Sequence, residues 1–347
     1  MTVFLRMLLA TFLTATFANA KTLTVSDGTI GPLDIRAKAA KIFIENASSA
    51  QLGIEFDKRG SNSSNAGPRG EFELLQSGKI DILVYPLSDL ADRIPTFGYA
   101  TLPGLLPNIE SAIALRETPV YDLLQSAAHQ NGFHILTWWW MRGGLVARDT
   151  TIRTPNDIAG LRVRSDNPFG QLMLYQADAE PVALPPTKIY GALQSGKIDA
   201  AFTSFQNSLT SNLHRQSKYA VFGGASLWMS LTPMLISKKT WDTLNRRQKR
   251  ALDCAAGIAD AAFYQLERDV LVKALAQFIK AGVPISSLSA DEFAAWLKLA
   301  QRTSWARYVE SHPRSSKLLT TTVENLRGSG PDSDPLAGAM CDEKLRD

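Results

Sequence analysis

The chain has 347 residues, of which 45% are hydrophobic and 20% charged, enough for one large domain or two ordinary domains with their own cores. This composition excludes a disordered chain, a collagen-like chain and a membrane bundle. The 37 basic and 33 acidic residues give a formal net charge of +4 without a basic run, which argues against a nucleic-acid partner.

The first twenty residues have the order of a secretory signal peptide. Arg6 precedes an apolar stretch from about Met7 to Phe17, which the small-residue sequence Ala18-Asn19-Ala20 follows. The stretch is too short for a comfortable membrane span, and no later stretch approaches ~18 uninterrupted apolar residues. We therefore expect a soluble periplasmic protein whose signal peptide, residues 1–20, is cleaved near Ala20. An uncleaved N-terminal anchor is the alternative.

After the signal peptide, predicted strands and helices alternate. TLTVSDG alternates like a short strand, and LDIRAKAAKIFIENAS places its apolar residues at helical spacing. A second strand, LGIEFDKRG, precedes the loop GSNSSNAGPRG and the helical segment GEFELLQSG. This helix stops at Gly78, and the strand KIDILVYP follows. The alternation predicts an α/β unit with parallel strands.

The sequence LQSGKID occurs twice, at residues 75–81 and 193–199. In both copies a helix precedes the glycine and a strand follows the lysine. Glycine accepts the left-handed backbone of a helix C-terminus, and lysine suits the negative end of the helix dipole, so the repeat is interpreted as a helix-to-strand joint. Each copy follows an earlier strand-helix-strand pattern, which predicts two lobes of like topology. Ligands of such sheets lie at the carboxyl ends of the strands.

The last third of the chain is predicted to be mainly helical. A long helical pattern runs from Thr240 to Gly282, the strand VPISSLS follows, and a further helix begins with a cap at Ser289 or Asp291. We expect these helices to strap the two lobes together.

Two cysteines, Cys254 and Cys341, remain in the exported chain. An oxidising compartment permits one disulfide between them, which would pin the polar C-terminal tail to a helix. Two unpaired thiols are the alternative.

Four motifs, and their order along the chain, resemble those of a known family. They are ATLPGLL (100–106), TPNDIAGLRVR (154–164), KIYGALQSGKIDA (188–200) and MLISKKTWDTLNRRQKRAL (234–252). The family is that of the periplasmic solute receptors of tripartite ATP-independent periplasmic (TRAP) transporters, the DctP-like proteins. The resemblance covers about residues 21–323. Lys188 stands where the family usually has glutamate, and Ala200 where it usually has glycine, which bears on the ligand more than on the fold.

The resemblance implies an α/β fold of two lobes, a periplasmic binding-protein clamp with parallel or mixed sheets and long C-terminal helices strapping both lobes. The predicted parts are a first lobe, residues 21–141 with a return segment of about 230–252; a second lobe, residues 142–229 with about 253–290; C-terminal helices, residues 291–330; and a polar tail, residues 331–347. The implied function is to bind a small organic acid and deliver it to the membrane permease subunits, which run on ion gradients.

Arg164 ends the predicted strand GLRVR in the second lobe. The resemblance assigns this position to the arginine that binds the ligand's carboxylate. The chemistry agrees, because a guanidinium offers a planar fork that matches two carboxylate oxygens. A surface salt bridge is the alternative role.

The resemblance gives Arg142 in WWWMRGGLVARD as the second arginine of the site, next to glycines that allow a close approach of ligand to backbone. A two-residue insertion blurs this match, so Arg148 is a competing candidate.

The resemblance also places polar ligand contacts a few residues after Asp199. The candidates in AAFTSFQNS are Thr203, Gln206 and Asn207, with Phe205 as an apolar wall. A strand end and an ordinary loop are the alternative for each residue.

Aromatic and strand-end residues supply further candidates. TWWWM on a strand would turn Trp139 to the face opposite its two neighbours, so at least one tryptophan is expected near the cleft, although tryptophans are more often core residues. Trp228 is a further aromatic candidate of the same kind. Asp27 and Tyr85 end predicted strands of the first lobe and are candidates by that position alone.

Catalytic and cofactor-binding patterns are absent from the sequence. The four histidines, at 129, 134, 214 and 312, lack metal-ligand spacing, and no nucleophile elbow, P-loop or dinucleotide fingerprint occurs. We therefore predict no enzyme activity, no cofactor and no metal site. An exported enzyme acting on an anionic small molecule in a two-lobe cleft is the alternative. A receptor for an ATP-powered pump would lack the GLRVR motif and the long strapping helices.

Overall fold

The computed structural model describes residues 21–27, 31–50, 53–59, 67–222, 224–311 and 313–328. The predicted signal peptide, the polar tail and Cys341 lie outside these ranges. Cys254 is disulfide-bonded, and its pairing with Cys341, the only other cysteine of the sequence, stays a prediction. Within these ranges, no helix combines the length and apolar character that a membrane crossing needs.

The described strands are β1 (Lys21–Ser26), β2 (Ile54–Arg59), β3 (Ile82–Val84), β4 (Phe133–Ile135), β5 (Trp140–Ala147), β6 (Arg162–Arg164), β7 (Glu180–Val182), β8 (Ala200–Ser204), β9 (Tyr219–Val221), β10 (Met229–Leu231), β11 (Met234–Ser237) and β12 (Ile285–Ser286). The α-helices are α1 (Ile35–Ser49), α2 (Gly67–Ser77), α3 (Ile109–Ala114), α4 (Pro119–Gln130), α5 (Pro168–Tyr175), α6 (Ile189–Gln194), α7 (Phe205–Thr210), α8 (Lys238–Thr243), α9 (Arg246–Lys280), α10 (Ala290–Ala300), α11 (Ala306–Ser311) and α12 (Pro313–Gly328). Short 3-10 helices span Leu87–Leu90, Pro95–Thr101, Leu115–Glu117, Pro155–Ile158, Pro186–Lys188 and Leu213–Arg215, and a π-helical turn spans Gln301–Trp305.

The strands form two mixed sheets, one in each lobe. The first sheet has the order β2-β1-β3-β11-β4, and the second has the order β12-β9-β5-β8-β6-β7, with β10 paired to β5. In the first, β1 is parallel to β2 and β3, whereas β11 is antiparallel to its neighbours. In the second, β6 is parallel to β7 and β8, whereas β5 is antiparallel to β8. Both lobes therefore repeat one layout, three parallel strands in the order second-first-third followed by an antiparallel strand.

The repeated LQSGKID forms the joints α2-to-β3 and α6-to-β8. Gly78 has a φ of 76° and Gly196 a φ of 67°, the left-handed region that favours glycine. The lysine that follows each glycine donates its backbone N–H to a carbonyl of the preceding helix, at 2.9 Å for Lys79 and 2.8 Å for Lys197. The predicted joint is confirmed in both copies.

The aspartate that ends each copy ties its joint to the middle one of the three parallel strands. Oδ2 of Asp81 accepts the backbone N–H of Thr24 at 2.8 Å, and Oδ2 of Asp199 accepts that of Arg162 at 2.9 Å. Asp199 also pairs with the Arg162 side chain at 2.7 Å. These matched bonds explain why the last residue of the repeat is an aspartate in both lobes.

Two chain segments cross between the sheets: one leads from β4 to β5, and the other from β10 to β11. Helix α9 lies beside the first of them. The crossing strands pair with each other, with Leu231 opposite Trp140 and Met229 opposite Arg142. The 35-residue helix α9 packs against α1 of the first lobe and α7 of the second. It therefore spans both lobes.

The C-terminal helices contact both lobes, as the sequence predicts. Ser289 caps α10 through the backbone N–H of Glu292. Trp296 of α10 donates Nε1–H to the carbonyl of Arg153 in the second lobe at 2.8 Å. Trp305 donates to the carbonyl of Pro103 in the first lobe at 3.0 Å.

Candidate functional site

The candidate site lies where parallel strands of both sheets end. In the second sheet, β6 ends at Arg164 and its parallel neighbour β8 ends at Ser204. In the first sheet, β1 ends at Ser26 and β3 at Val84, and the 3-10 turn Leu87–Leu90 follows. Ligands of α/β sheets bind outside the carboxyl ends of the strands. The side chains around these four ends therefore define the site.

Arg164 is a buried cation that uses only part of its hydrogen-bonding capacity. Its side chain is 1% exposed. Nε donates to the carbonyl of Leu184 at 2.9 Å, and Nη1 donates to the carbonyl of Phe202 at 2.7 Å. Nη2 is buried and has no partner among the described residues. Burial lowers the pKa of the guanidinium, yet an arginine in a protein keeps its charge. Arg164 thus offers a directed donor to an anion.

Asp166 borders Arg164 in the second lobe. Its Oδ2 lies 3.8 Å from Nη1 of Arg164, too far for a hydrogen bond. Its Oδ1 accepts from Nδ2 of Asn167 at 3.2 Å and, more weakly, from Nε1 of Trp228 at 3.4 Å. These contacts orient the carboxylate and leave Oδ2 on the side of the arginine.

Asp89 of the first lobe lies beyond the end of β3. Its side chain is exposed in the 3-10 turn Leu87–Leu90, and Oδ1 accepts from Oγ of Ser88 at 3.3 Å. Loss of hydration, and then the carboxylate of Asp166, raise the pKa of Asp89 to about 6, while the hydrogen bond from Ser88 and the charges of Arg36 and Arg164 oppose this rise. Acidic groups from both lobes therefore share one electrostatic environment.

Sequence reasoning did not name Asp89 or Asp166. Both follow the end of a parallel strand. The same position makes Asp27 and Tyr85 candidates from the sequence alone, so it is a signal that could also have identified Asp89 and Asp166.

The structure places the first-lobe candidates in contacts of their own. Asp27 is buried, and its Oδ2 lies 3.2 Å from Nζ of Lys58. Tyr85 is buried against Phe72, with ring centroids 5.5 Å apart. Both follow strands whose ends face the cleft.

The remaining candidates lie at the end of β8 and in the helix that follows it, and Arg164 bonds to the Phe202 carbonyl of this strand. Thr203 and Asn207 bond to each other, with Nδ2 of Asn207 donating to Oγ1 of Thr203 at 3.1 Å. Gln206 is 6% exposed, and its Oε1 is buried without a partner among the described residues. Phe205 packs against Phe222, with ring centroids 5.0 Å apart. The role of Gln206 as a ligand contact stays a prediction.

Arg142 and Arg148 lie at opposite ends of β5. Arg142 stands at the cleft end, where Nε lies 3.0 Å from both carboxylate oxygens of Glu267 and Nη2 donates to Oε2 at 2.6 Å. Arg148 lies beyond the far end of the strand, where its Nε pairs with Asp149 at 2.9 Å. Of the two candidate second arginines, Arg142 is the nearer to the site, and its guanidinium is held by α9.

The tryptophans alternate sides, as predicted. Trp139 is fully buried and stacks on Phe263 of α9, with centroids 5.2 Å apart, whereas Trp138 and Trp140 contact each other. Trp228 is 9% exposed, and its ring lies over Gly143, where an added Cβ would be 2.4 Å from ring atom Cε3. Trp228 thus borders the site, whereas Trp139 lies within core packing.

The site is suited to binding and orienting an anion. Among the described residues, no group of His, Cys, Asp and Glu has a geometry that would hold a metal ion. His129 and His134 stack on each other beside Trp241 in the first lobe.

The sequence model of the DctP family, described as bacterial extracellular solute-binding protein, family 7, matches residues 29–311. A curated solute-binding protein of Albidiferax ferrireducens is 25% identical over 315 residues, which are 89% of this chain and 93% of that protein.

Two solved structures share the fold. A TRAP periplasmic solute-binding protein from Rhodoferax ferrireducens with bound malonate is 24% identical with a TM-score of 0.81, covering 88% of this chain and 98% of that one. A TRAP periplasmic solute-binding protein from Chromohalobacter salexigens with bound D-glucuronate is 18% identical with a TM-score of 0.77, covering 87% and 99%. Because the family match spans most of the chain and both lobes, this protein belongs to the DctP family of bacterial extracellular solute-binding proteins, family 7.

Proposed function

We propose that this protein is the periplasmic receptor of a TRAP transporter, which binds a small carboxylate between its lobes and delivers it to a permease driven by an ion gradient. Residues 1–20 direct its export and are removed near Ala20. The family consists of solute-binding receptors, so the protein is a receptor and not an enzyme.

One observation carries this proposal. Arg164 is 1% exposed at the end of β6, its Nε and Nη1 are fixed by backbone carbonyls, and its Nη2 has no partner among the described residues. The fixed guanidinium holds Nη2 in a set direction, so a carboxylate is bound without reorganising the protein.

The ligands of structural neighbours support the same chemistry. Malonate and D-glucuronate, bound by the Rhodoferax and Chromohalobacter proteins, both carry carboxylates. The charge of Asp89 in the first lobe opposes the fall in the pKa of Arg164 in the second. A ligand between them contacts both lobes and favours their closed arrangement.

The test compares Arg164→Lys with wild type in a thermal-shift screen of small organic acids. A ligand at ~1,000 times its Kd stabilises the folded state by about 4 kcal/mol, which moves the midpoint by several degrees. Because lysine keeps a charge but loses the planar fork, we expect Arg164→Lys to bind the same acid at least tenfold more weakly.

Arg148→Lys is the matched control, since it makes the same exchange at a half-exposed arginine at the far end of β5. Circular dichroism of the ligand-free variants establishes that each is folded. Equal affinity of wild type and Arg164→Lys for the acid, or no acid that shifts wild type, would refute the proposal.

A further inference from the structure

The end of the first lobe that lies opposite the candidate site is rich in basic residues. The parallel strands β1 and β3 end at the site, so their first residues lie at the other end of the sheet. Strand β11 is antiparallel to β3 and therefore ends there as well, at Ser237. Helix α8 and the start of α9 follow directly, and Lys21 at the start of β1 donates a hydrogen bond to Oγ1 of Thr243 in α8. These segments form one surface on the side of the lobe away from the cleft.

Six basic side chains of this surface, which is named the basic end, come from the first joint, from α8 and from the start of α9. They are Lys79, Lys239, Arg246, Arg247, Lys249 and Arg250, of which all but Lys249 are exposed. Nζ of Lys239 donates to the carbonyl of Ser77 at 3.2 Å, which places α8 beside the joint that contains Lys79. Residues 246–250 read RRQKR, so the expectation of a chain without a basic run is wrong at this point.

The basic end has almost no acidic partners. Among the described residues, none of its six cations forms an ion pair, and the nearby Asp242 pairs with Lys238 at 2.6 Å. Asp81 accepts hydrogen bonds from a backbone N–H and from threonine hydroxyls. The first turn of α9 contains no acidic residue, although the helix dipole favours acids there and disfavours cations. These basic residues therefore do not serve the stability of the fold through ion pairs.

The second lobe repeats the layout of the first, and ion pairs neutralise much of its corresponding end. The pairs are Arg148 with Asp149 at 2.9 Å, Lys218 with Asp149 at 2.8 Å and Arg162 with Asp199 at 2.7 Å. Lys197 of the second joint makes no ion pair among the described residues. The concentration of unpaired cations is thus a property of the first lobe and not of the layout that both lobes share.

The chemistry of the basic end fits an extended anionic surface. The exposed large hydrophobic side chains of the described residues lie elsewhere; they are Leu33, Tyr175, Val272, Ile279 and Val309. A specific protein interface has apolar or aromatic anchors at its centre. A bilayer with anionic headgroups attracts clustered lysine and arginine side chains without such anchors, because its phosphates are many and occupy no fixed positions.

We propose that the basic end binds the anionic phospholipid headgroups of a membrane surface. Each lysine or arginine close to such a surface increases the partition coefficient about fivefold, which corresponds to about 1 kcal/mol. Because the basic end lies opposite the candidate site, the bound protein keeps its cleft uncovered. For a periplasmic receptor, this contact raises its concentration at the membrane.

Co-sedimentation with lipid vesicles tests the inference on the whole protein. Vesicles of phosphatidylcholine are compared with vesicles in which about 40% of the lipid is phosphatidylglycerol, at about 50 mM and about 300 mM salt. We expect the wild type to bind the anionic vesicles at least about tenfold more tightly than the neutral ones at the lower salt concentration. The difference should shrink at the higher concentration, because salt screens exposed charges.

Two triple variants on the same helix identify the surface that binds. The first removes three cations of the basic end, by Arg246→Gln, Arg247→Gln and Arg250→Gln. The matched control removes three exposed cations near the other end of α9, by Arg268→Gln, Lys273→Gln and Lys280→Gln. Both lose the same net charge, and glutamine is a good helix former. We expect the first variant to bind the anionic vesicles about a hundredfold more weakly and the control to stay close to wild type.

Two results would overturn the inference. If the wild type binds anionic and neutral vesicles equally, the membrane is not the partner, and an acidic protein becomes the candidate for this surface. If both triple variants lose the same affinity, net charge governs binding and the basic end has no special role. Neither result affects the proposed function, because the basic end lies apart from Arg164.

Discussion

At the scale of single residues, His134 makes the folded protein sensitive to acid. Its ring is 9% exposed and stacks on Trp241, with centroids 3.9 Å apart. Nε2 lies 3.2 Å from the amide nitrogen of Gln125, which donates, so Nε2 must accept. Nδ1 then carries the proton and donates to Nε2 of His129 at 2.8 Å. A second proton, on Nε2 of His134, would have no acceptor there, because the atom that faces it is the amide nitrogen of Gln125.

We predict that His134→Gln reduces the loss of stability in acid. Burial, and then His129, lower the pKa of His134 to about 3, whereas an unfolded histidine titrates near 6.5. The unfolded chain therefore binds a proton between these pH values that the folded chain does not, so acidification favours unfolding. Between pH 7 and pH 5 this group costs about 2 kcal/mol of wild-type stability, a cost absent from the variant.

Urea unfolding at pH 7 and pH 5 measures this difference. Comparing the change in the free energy of unfolding between the two pH values removes any constant loss of stability from the substitution. His214→Gln is the control, because this half-buried histidine makes no comparable histidine contact. Parallel pH profiles for wild type and His134→Gln would contradict the prediction.

At the scale of secondary-structure elements, α9 fastens the segment that crosses between the sheets. Asp260 accepts the backbone N–H of Trp138 at 3.0 Å and pairs with Arg116 of the first lobe. Two helical turns later, Glu267 holds Arg142 of the second lobe. These two carboxylates share one face of the helix, since residues seven apart lie on the same side. Helix α9 therefore makes one ion pair with each lobe.

We predict that Arg142 and Glu267 stabilise the fold as a unit. Glu267 is 3% exposed in its side chain and Arg142 18%. Arg142→Met or Glu267→Met alone leaves a largely buried charge unpaired and should cost about 3 kcal/mol, whereas the double variant should regain part of that loss. Denaturant unfolding of the three variants gives this coupling energy.

Ligand affinity of the same variants separates two roles of Arg142. A purely structural arginine gives a double variant that regains stability and also binds ligand normally. If stability returns while affinity stays reduced, Arg142 contacts the ligand, as the sequence resemblance implies. Additive stability losses would show that the pair does not act as a unit.

The features that sequence predicted correctly are those with local causes. The two joints follow from a glycine with positive φ and a lysine at the end of a helix, all within seven residues. By contrast, the place of β11 between β3 and β4, where Leu235 pairs with Leu83 and Ile135, has no local cause, and it is the family resemblance that assigns the segment of about 230–252 to the first lobe. Pairing at such separation leaves no local pattern in the sequence.

The candidate site also depends on contacts between residues that are far apart in the sequence. Arg164 was identified because it ends a recognisable motif. Asp166 is recognised only from the fold, which brings its Oδ2 to 3.8 Å from Nη1 of Arg164, and Asp89 lies in the other lobe, after β3. Asp27, chosen by the same strand-end rule, is paired with Lys58. Which strand-end residue remains free to meet a ligand depends on such partners, and these are set by the fold.

At the scale of the whole molecule, Phe169 joins the lobes beside the site. It lies in α5, which follows β6 of the second lobe, and its ring covers Gly98 of the first, where an added Cβ would lie 2.1 Å from Cε2. The C-terminal helices support this contact, because Ser304 donates to the carbonyl of Phe169 at 2.6 Å and Tyr308 to that of Thr96 at 2.8 Å. We expect this contact to form only when the lobes lie together.

We predict that Phe169→Ala weakens ligand binding without touching the arginine. If the ligand binds the closed arrangement, losing a contact specific to that arrangement lowers its population, and the apparent Kd rises in proportion, by about tenfold. Calorimetry measures this affinity, and small-angle scattering of the ligand-free variant should give a larger radius of gyration than wild type. Tyr175→Ala, at the exposed end of the same helix, should match wild type in both measurements. Unchanged affinity and compactness in Phe169→Ala would mean that the ring contributes to packing alone and that closure is governed by the charged groups around Arg164.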